Sequence, residues 1–210
     1  MGRLASRARS TQLAVRWEYL TVALAAGEGV VALLSGVLAG SVALVAFGAD
    51  SVIEMLSGFV VLGQLLALTS SRARRRVSEH QSHRILALLF FALAIYVTLS
   101  VAWALLGAHH PRENAWGLAV SVVSAVAMPA LAWAKRASAR HLSAHGLASL
   151  ARLVLADAAE TALCSLLALS TLIGVSLAWA RWWWADPVAS LVVVYFALRE
   201  GREAWECAAD

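Results

Sequence analysis

Six apolar runs, each about 20 residues long, constrain this chain more than any other feature, because a helix of that length spans a hydrocarbon layer of ~30 Å. They fall at 19–38, 42–68, 85–106, 115–134, 153–177 and 183–198. Of the 210 residues, 61% are hydrophobic and 14% charged, where soluble domains carry about 25% charged residues. With no water in a bilayer to satisfy backbone groups, runs of this length fold as helices. The expected fold is an all-α integral membrane protein with six transmembrane helices over 17–205, a basic tail at 1–16 and a short tail at 206–210. Arg3, Arg7, Arg9 and Arg16 precede the first run. That run lacks a small-residue cleavage site, so it reads as a retained span and not a signal peptide.

Charge distribution sets the orientation. Of the 17 Lys and Arg residues, the N-terminal tail holds four, the second-to-third link five, the fourth-to-fifth link (135–152) four and the C-terminal tail two. The remaining links hold only Arg112 and Arg181. The positive-inside rule then puts both termini in the cytoplasm and the chain in the cytoplasmic membrane. The basic excess is topological and argues against nucleic acid as a partner. Arg74, Arg75 and Arg76 fit an anionic lipid surface. Cys164 and Cys207 make neither a disulfide framework nor a CxxC pair.

The last run is the shortest. Asp186-Pro187 reads as an N-cap with Pro at the first helical position. From there to Leu198 is only ~18 Å. The helix therefore either takes in Trp182, Trp183 and Trp184 as an interfacial belt or continues through the charged 199–205. Pro129 predicts a kink in the fourth span.

Carboxylates inside apolar runs are expensive and point to function. Asp50 and Glu54 lie four residues apart on one face of the second span; Glu160 and Cys164 repeat that spacing in the fifth. Counted from the outer ends, Asp50 and Glu54 sit ~12 and ~18 Å deep, and Cys164 and Glu160 ~18 and ~24 Å deep. In antiparallel spans all four share one level near the midplane. Three carboxylates and a thiol at one depth repel unless protonated or joined by a cation. The oxygen and sulfur donors suit a transition-metal dication, the sulfur favouring Zn2+ or Cd2+ and the carboxylates leaving Fe2+, Co2+ and Mn2+ open. Since ligands must lose protons to bind metal, such a site exchanges metal for protons. Glu28 in the first span and Asp157 in the fifth are accessory or proton-pathway candidates.

At these residues the chain resembles the cation diffusion facilitator (cation efflux) family, in the short form without a C-terminal cytoplasmic domain. Gly40-Ser41 precedes the Asp50/Glu54 pair, Ala156-Asp157 precedes Glu160 and Cys164, and Trp184-Ala185-Asp186-Pro187 leads into the last span. Glu54, Glu160 and Cys164 stand where the family has Asp, His and Asp. The resemblance implies a six-helix divalent metal exporter, with Zn2+ first among its substrates, working by proton exchange, a homodimer, and no tightly bound cofactor. It also marks Glu79, His80 and His83 as a weak secondary metal site. The alternatives are a non-transporting membrane metal-binding partner and, behind it, a membrane-embedded hydrolase, which the loop positions of all six histidines disfavour.

Overall fold

The computed structural model describes residues 2–69, 79–107, 112 and 114–207. Six helices account for nearly all of them: α1 Gly2–Ala39, α2 Val42–Thr69, α3 Glu79–Leu106, α4 Ala115–Ala144, α5 Ala148–Trp179 and α6 Ala185–Cys207. The basic 70–78 segment, with Arg74–Arg76, lies outside the described residues. So do His109, His110 and the side chains of Glu79, His80 and His83 at the start of α3.

Three helix ends share one stop. After α1, the Ser41 N–H bonds Gly36 O at 2.9 Å and the Gly40 N–H bonds Val37 O at 3.3 Å, with Gly40 at φ +66°. After α4, Leu147 N–H bonds Leu142 O and Gly146 N–H bonds Ser143 O, both at 3.0 Å, with Gly146 at φ +73°. These paired bonds around a left-handed residue satisfy the last carbonyls of each helix. Arg181 takes the same place after α5 at φ +71°, where a side chain is strained.

The second of these stops corrects the expected link over 135–152. Lys135, Arg136 and Arg140 are good helix formers, and α4 continues through them and through Pro129 to Ala144. His141, read as a loop residue, is exposed in the last turn of α4. The buried positions 117, 120, 121, 124, 128, 131, 132, 135, 138, 139 and 142 form one stripe of helical period, with Ala134 buried at its edge, so Lys135 points inward.

The last helix takes the second of its two expected courses, through the charged 199–205. Trp182 and Trp184 stack in the turn before α6, with centroids 5.9 Å apart, and the helix continues to Cys207 instead of absorbing them. Asp186 lies inside its first turn, not at its N-cap. The carboxylate serves α2 instead. Ser41 Oγ donates to Asp186 Oδ1 at 2.5 Å, and the Val42 and Ala43 N–H groups donate to Oδ2 at 2.9 and 3.3 Å. Ser41 Oγ in turn accepts the Leu44 N–H at 3.1 Å, so the free donors of the first turn of α2 are satisfied across the fold.

Helices α1, α2, α5 and α4 pack in a ring, each against the next, and α3 pairs with α6 alongside α2 and α5. Where α1 crosses α2, a Cβ on Gly48 would stand 2.7 Å from Leu33 N. Large apolar residues face outward: Trp103 and Trp133 are more than 70% exposed. Polar residues, among them Thr21, Ser121 and Ser124, are buried. That inverted pattern is what a lipid solvent selects. Five stretches are long and apolar enough to cross a membrane: Arg9–Ala39, Val42–Leu66, Ala87–Leu106, Ala115–Ala144 and Leu150–Trp179. Helix α6, of 23 residues, is long enough at ~34 Å but carries Arg199, Glu200, Arg202, Glu203 and Glu206 in its second half and does not reach the same apolarity.

Candidate cation site

Helices α2 and α5 run antiparallel and in contact, which sets their polar residues in matched steps. The first step holds Asp50 and Cys164: the Cys164 thiol donates to Asp50 Oδ2 at 3.2 Å. One turn along each helix, in opposite chain directions, come Glu54 and Glu160. Ser57 Oγ donates to Glu160 Oε2 at 2.7 Å. Glu54 is 2% exposed, and neither of its oxygens has a hydrogen-bond partner.

The four residues singled out from the sequence therefore lie on facing helices, but as one bonded pair, one carboxylate held by a serine and one carboxylate alone. Among the described residues, no group of three His, Cys, Asp or Glu side chains is drawn together closely enough to hold a metal ion. Glu28 reaches this level from α1, beside Ser124 of α4 and within electrostatic reach of Asp50. It is 3% exposed and its oxygens also lack hydrogen-bond partners.

A cavity of about 570 Å³ leads to Glu160 from the end of the bundle where α2 and α4 finish and α5 begins. Ser57, Gln64, Arg136, Asp157, Glu160 and Glu200 are among its walls. Asp50, Glu54 and Cys164 are not, so Glu160 is the member of the set that the cavity meets.

Asp157, proposed from sequence as an accessory carboxylate, is bound up with two residues that sequence reasoning missed. Lys135, which is fully buried, makes a close ion pair with Asp157 and a second with Glu18 Oε2 at 3.3 Å. Its Nζ also donates to Thr161 Oγ1 at 3.1 Å. Lys135 read as the basic edge of a link, and Glu18 was not singled out. The available signal was the period: Lys135 is in phase with Met128, Leu131 and Leu142.

No curated protein matches this chain. The model of the cation efflux transmembrane domain matches residues 19–209. That match takes in α2 to α6 and most of α1, and members of the family are membrane transporters of metal cations, not enzymes. A multi-pass helical bundle with acidic residues on its two central antiparallel helices, matched over nearly its whole length by that family's transmembrane domain, belongs to the cation efflux family.

Proposed function

We propose that this chain exports a divalent transition metal, Zn2+ first among the candidates, in exchange for protons, using Asp50, Glu54, Glu160 and Cys164. The observation that carries the reading is the matched stepping of α2 and α5. Asp50 and Cys164 are already bonded at 3.2 Å. Glu54 and Glu160 follow one turn nearer the cavity. A dication arriving at Glu160 meets three further donors within the length of one helical turn.

Metal binding requires these groups to give up protons, and protonation releases the metal. Cys164 supplies the sulfur that favours Zn2+ and Cd2+; Fe2+, Co2+ and Mn2+ rank behind them on the carboxylates. Glu28 is placed to hold a proton beside Asp50, and Asp157 serves at the cavity wall. The positive-inside distribution supports cytoplasmic termini, which makes the cavity inward-facing. Family likeness supports a sixth span at α6 and a homodimer.

The test is flux into proteoliposomes for a panel of dications, with and without a pH gradient, for the native protein and Asp50→Ala. Gradient-dependent uptake that the substitution abolishes is the expected result. Unchanged flux in Asp50→Ala overturns the site. Metal binding without flux in the native protein would make it a non-transporting metal-binding partner.

A further inference from the structure

Lys135 is the only buried lysine or arginine among the described residues. Its ammonium sits at the point where three oxygens from two other helices converge: Asp157 Oδ2 and Thr161 Oγ1 from α5, and Glu18 Oε2 from α1. Two carboxylates and a hydroxyl around one point are the donor set of a hard cation. The balance of charge is also that of a cation site. The cluster sets two carboxyl groups against one ammonium, and Glu18, wholly buried, has an Oε1 atom with no hydrogen-bond partner. Without the ammonium, the two carboxylates match a divalent ion. Asp157 also lines the cavity that leads to Glu160, while Glu18, Lys135 and Thr161 lie behind that wall, so an ion on its way to the ligand set meets the cluster at Asp157.

We propose that Glu18, Asp157 and Thr161 form a second, oxygen-only site for a divalent cation, and that the Lys135 ammonium occupies it as a tethered substitute. Lys135 is thus a selectivity residue. It holds Glu18 and Asp157 together while denying them to an ion entering by the cavity, which leaves the α2–α5 set to take it. The cluster adjoins that set on α5, where Thr161 follows Glu160 and Asp157 stands three residues before it, and parts from it on α1, where Glu18 stands ten residues before Glu28, ~15 Å along the axis. This role for Lys135 rests on the transport reading, whereas the latent site itself does not.

The experiment counts Mn2+ bound per chain by electron paramagnetic resonance on the full-length protein in detergent. Lys135→Met keeps the unbranched stem of the side chain and removes its ammonium. One Mn2+ per chain more than native is expected, and Lys135→Met combined with Glu18→Gln and Asp157→Asn returns to the native count. The pair Asp50→Ala and Asp50→Ala/Lys135→Met separates the two sites. A gain of one ion between them supports the latent site even if the native protein binds no metal at the α2–α5 set. An unchanged count on removing Lys135, in either background, overturns the proposal. If Lys135→Met is unstable alone, Mn2+ present during purification is expected to restore a folded protein. Failure with and without Mn2+, while the triple variant folds, overturns it equally.

Discussion

Asp186 joins the start of α6 to the start of α2, and removing its carboxylate should be among the most damaging changes outside the polar interior. Asp186→Ala strands the Ser41 hydroxyl and the Val42 N–H, bonded at 2.5 and 2.9 Å, and loosens the longer Ala43 contact at 3.3 Å. Ser41 and Asp186 are buried, so water does not replace what is lost. A hydrogen bond to a charged acceptor contributes about 1.5–3 kcal/mol. Counting two good bonds and little for the third gives a loss of about 3–6 kcal/mol. At roughly 2–4 °C per kcal/mol for a chain of this size, melting should fall by about 10 °C. Tryptophan fluorescence on heating in detergent reads this directly, since Trp182 and Trp184 stack in the turn before Asp186. Asp186→Asn keeps one acceptor oxygen without the charge and should lose about half as much. Because Ser41 and Asp186 share a bond, Ser41→Ala with Asp186→Ala should cost less than the two separate losses added. A melting temperature unchanged by Asp186→Ala would refute the cross-fold cap.

Three further substitutions test other parts of the fold and site. Arg181→Gly relieves a left-handed side chain at φ +71° and should raise stability by about 1 kcal/mol, read as a higher melting temperature. Gly48→Ala puts a Cβ 2.7 Å from Leu33 N; parting α1 from α2 should cost about 1–3 kcal/mol and lower metal flux, measured in proteoliposomes. Cys164→Ser keeps the donor to Asp50 but replaces sulfur with oxygen, so the flux ratio of Zn2+ to Mn2+ should fall; an unchanged ratio would place Cys164 outside the metal's shell.

Much of this architecture was legible because lipid simplifies the code: long apolar runs report helices directly, and Gly40-Ser41 marked the turn into α2. That Asp50 and Cys164 meet, with Glu54 and Glu160 a turn away, was legible through the four-residue spacing on two antiparallel spans. Lys135 and Asp186 were harder for one physical reason. Each lies near the end of an apolar run, where a charge has the same local sequence whether it faces water or turns inward. Lys135 turns inward because α4 continues three turns past the apolar run in good helix formers. Asp186 turns away from its own helix because the N-terminus of α2 presents open N–H groups beside it. Both outcomes depend on a neighbour distant in sequence, Glu18 in one case and Ser41 in the other.

These inward charges also separate what holds the bundle together from what the bundle is built to bind. Asp186 has amides and a hydroxyl, and Asp157 has Lys135. Glu54 has no hydrogen-bond partner, though it is buried in the centre of α2. A polar group left unsatisfied in a dry interior costs about 1–3 kcal/mol, so a sequence shaped for stability alone would not retain it. Glu54→Leu, which removes both unpartnered oxygens, should therefore raise the melting temperature of the metal-free protein. The same substitution should abolish the further rise that Zn2+ gives the native protein, about 2.7 kcal/mol at a hundredfold excess over its dissociation constant. Scanning fluorimetry with and without Zn2+ measures both effects. If Glu54→Leu instead lowers metal-free stability, Glu54 has a structural role, and the case for it as a ligand held open for an arriving cation fails.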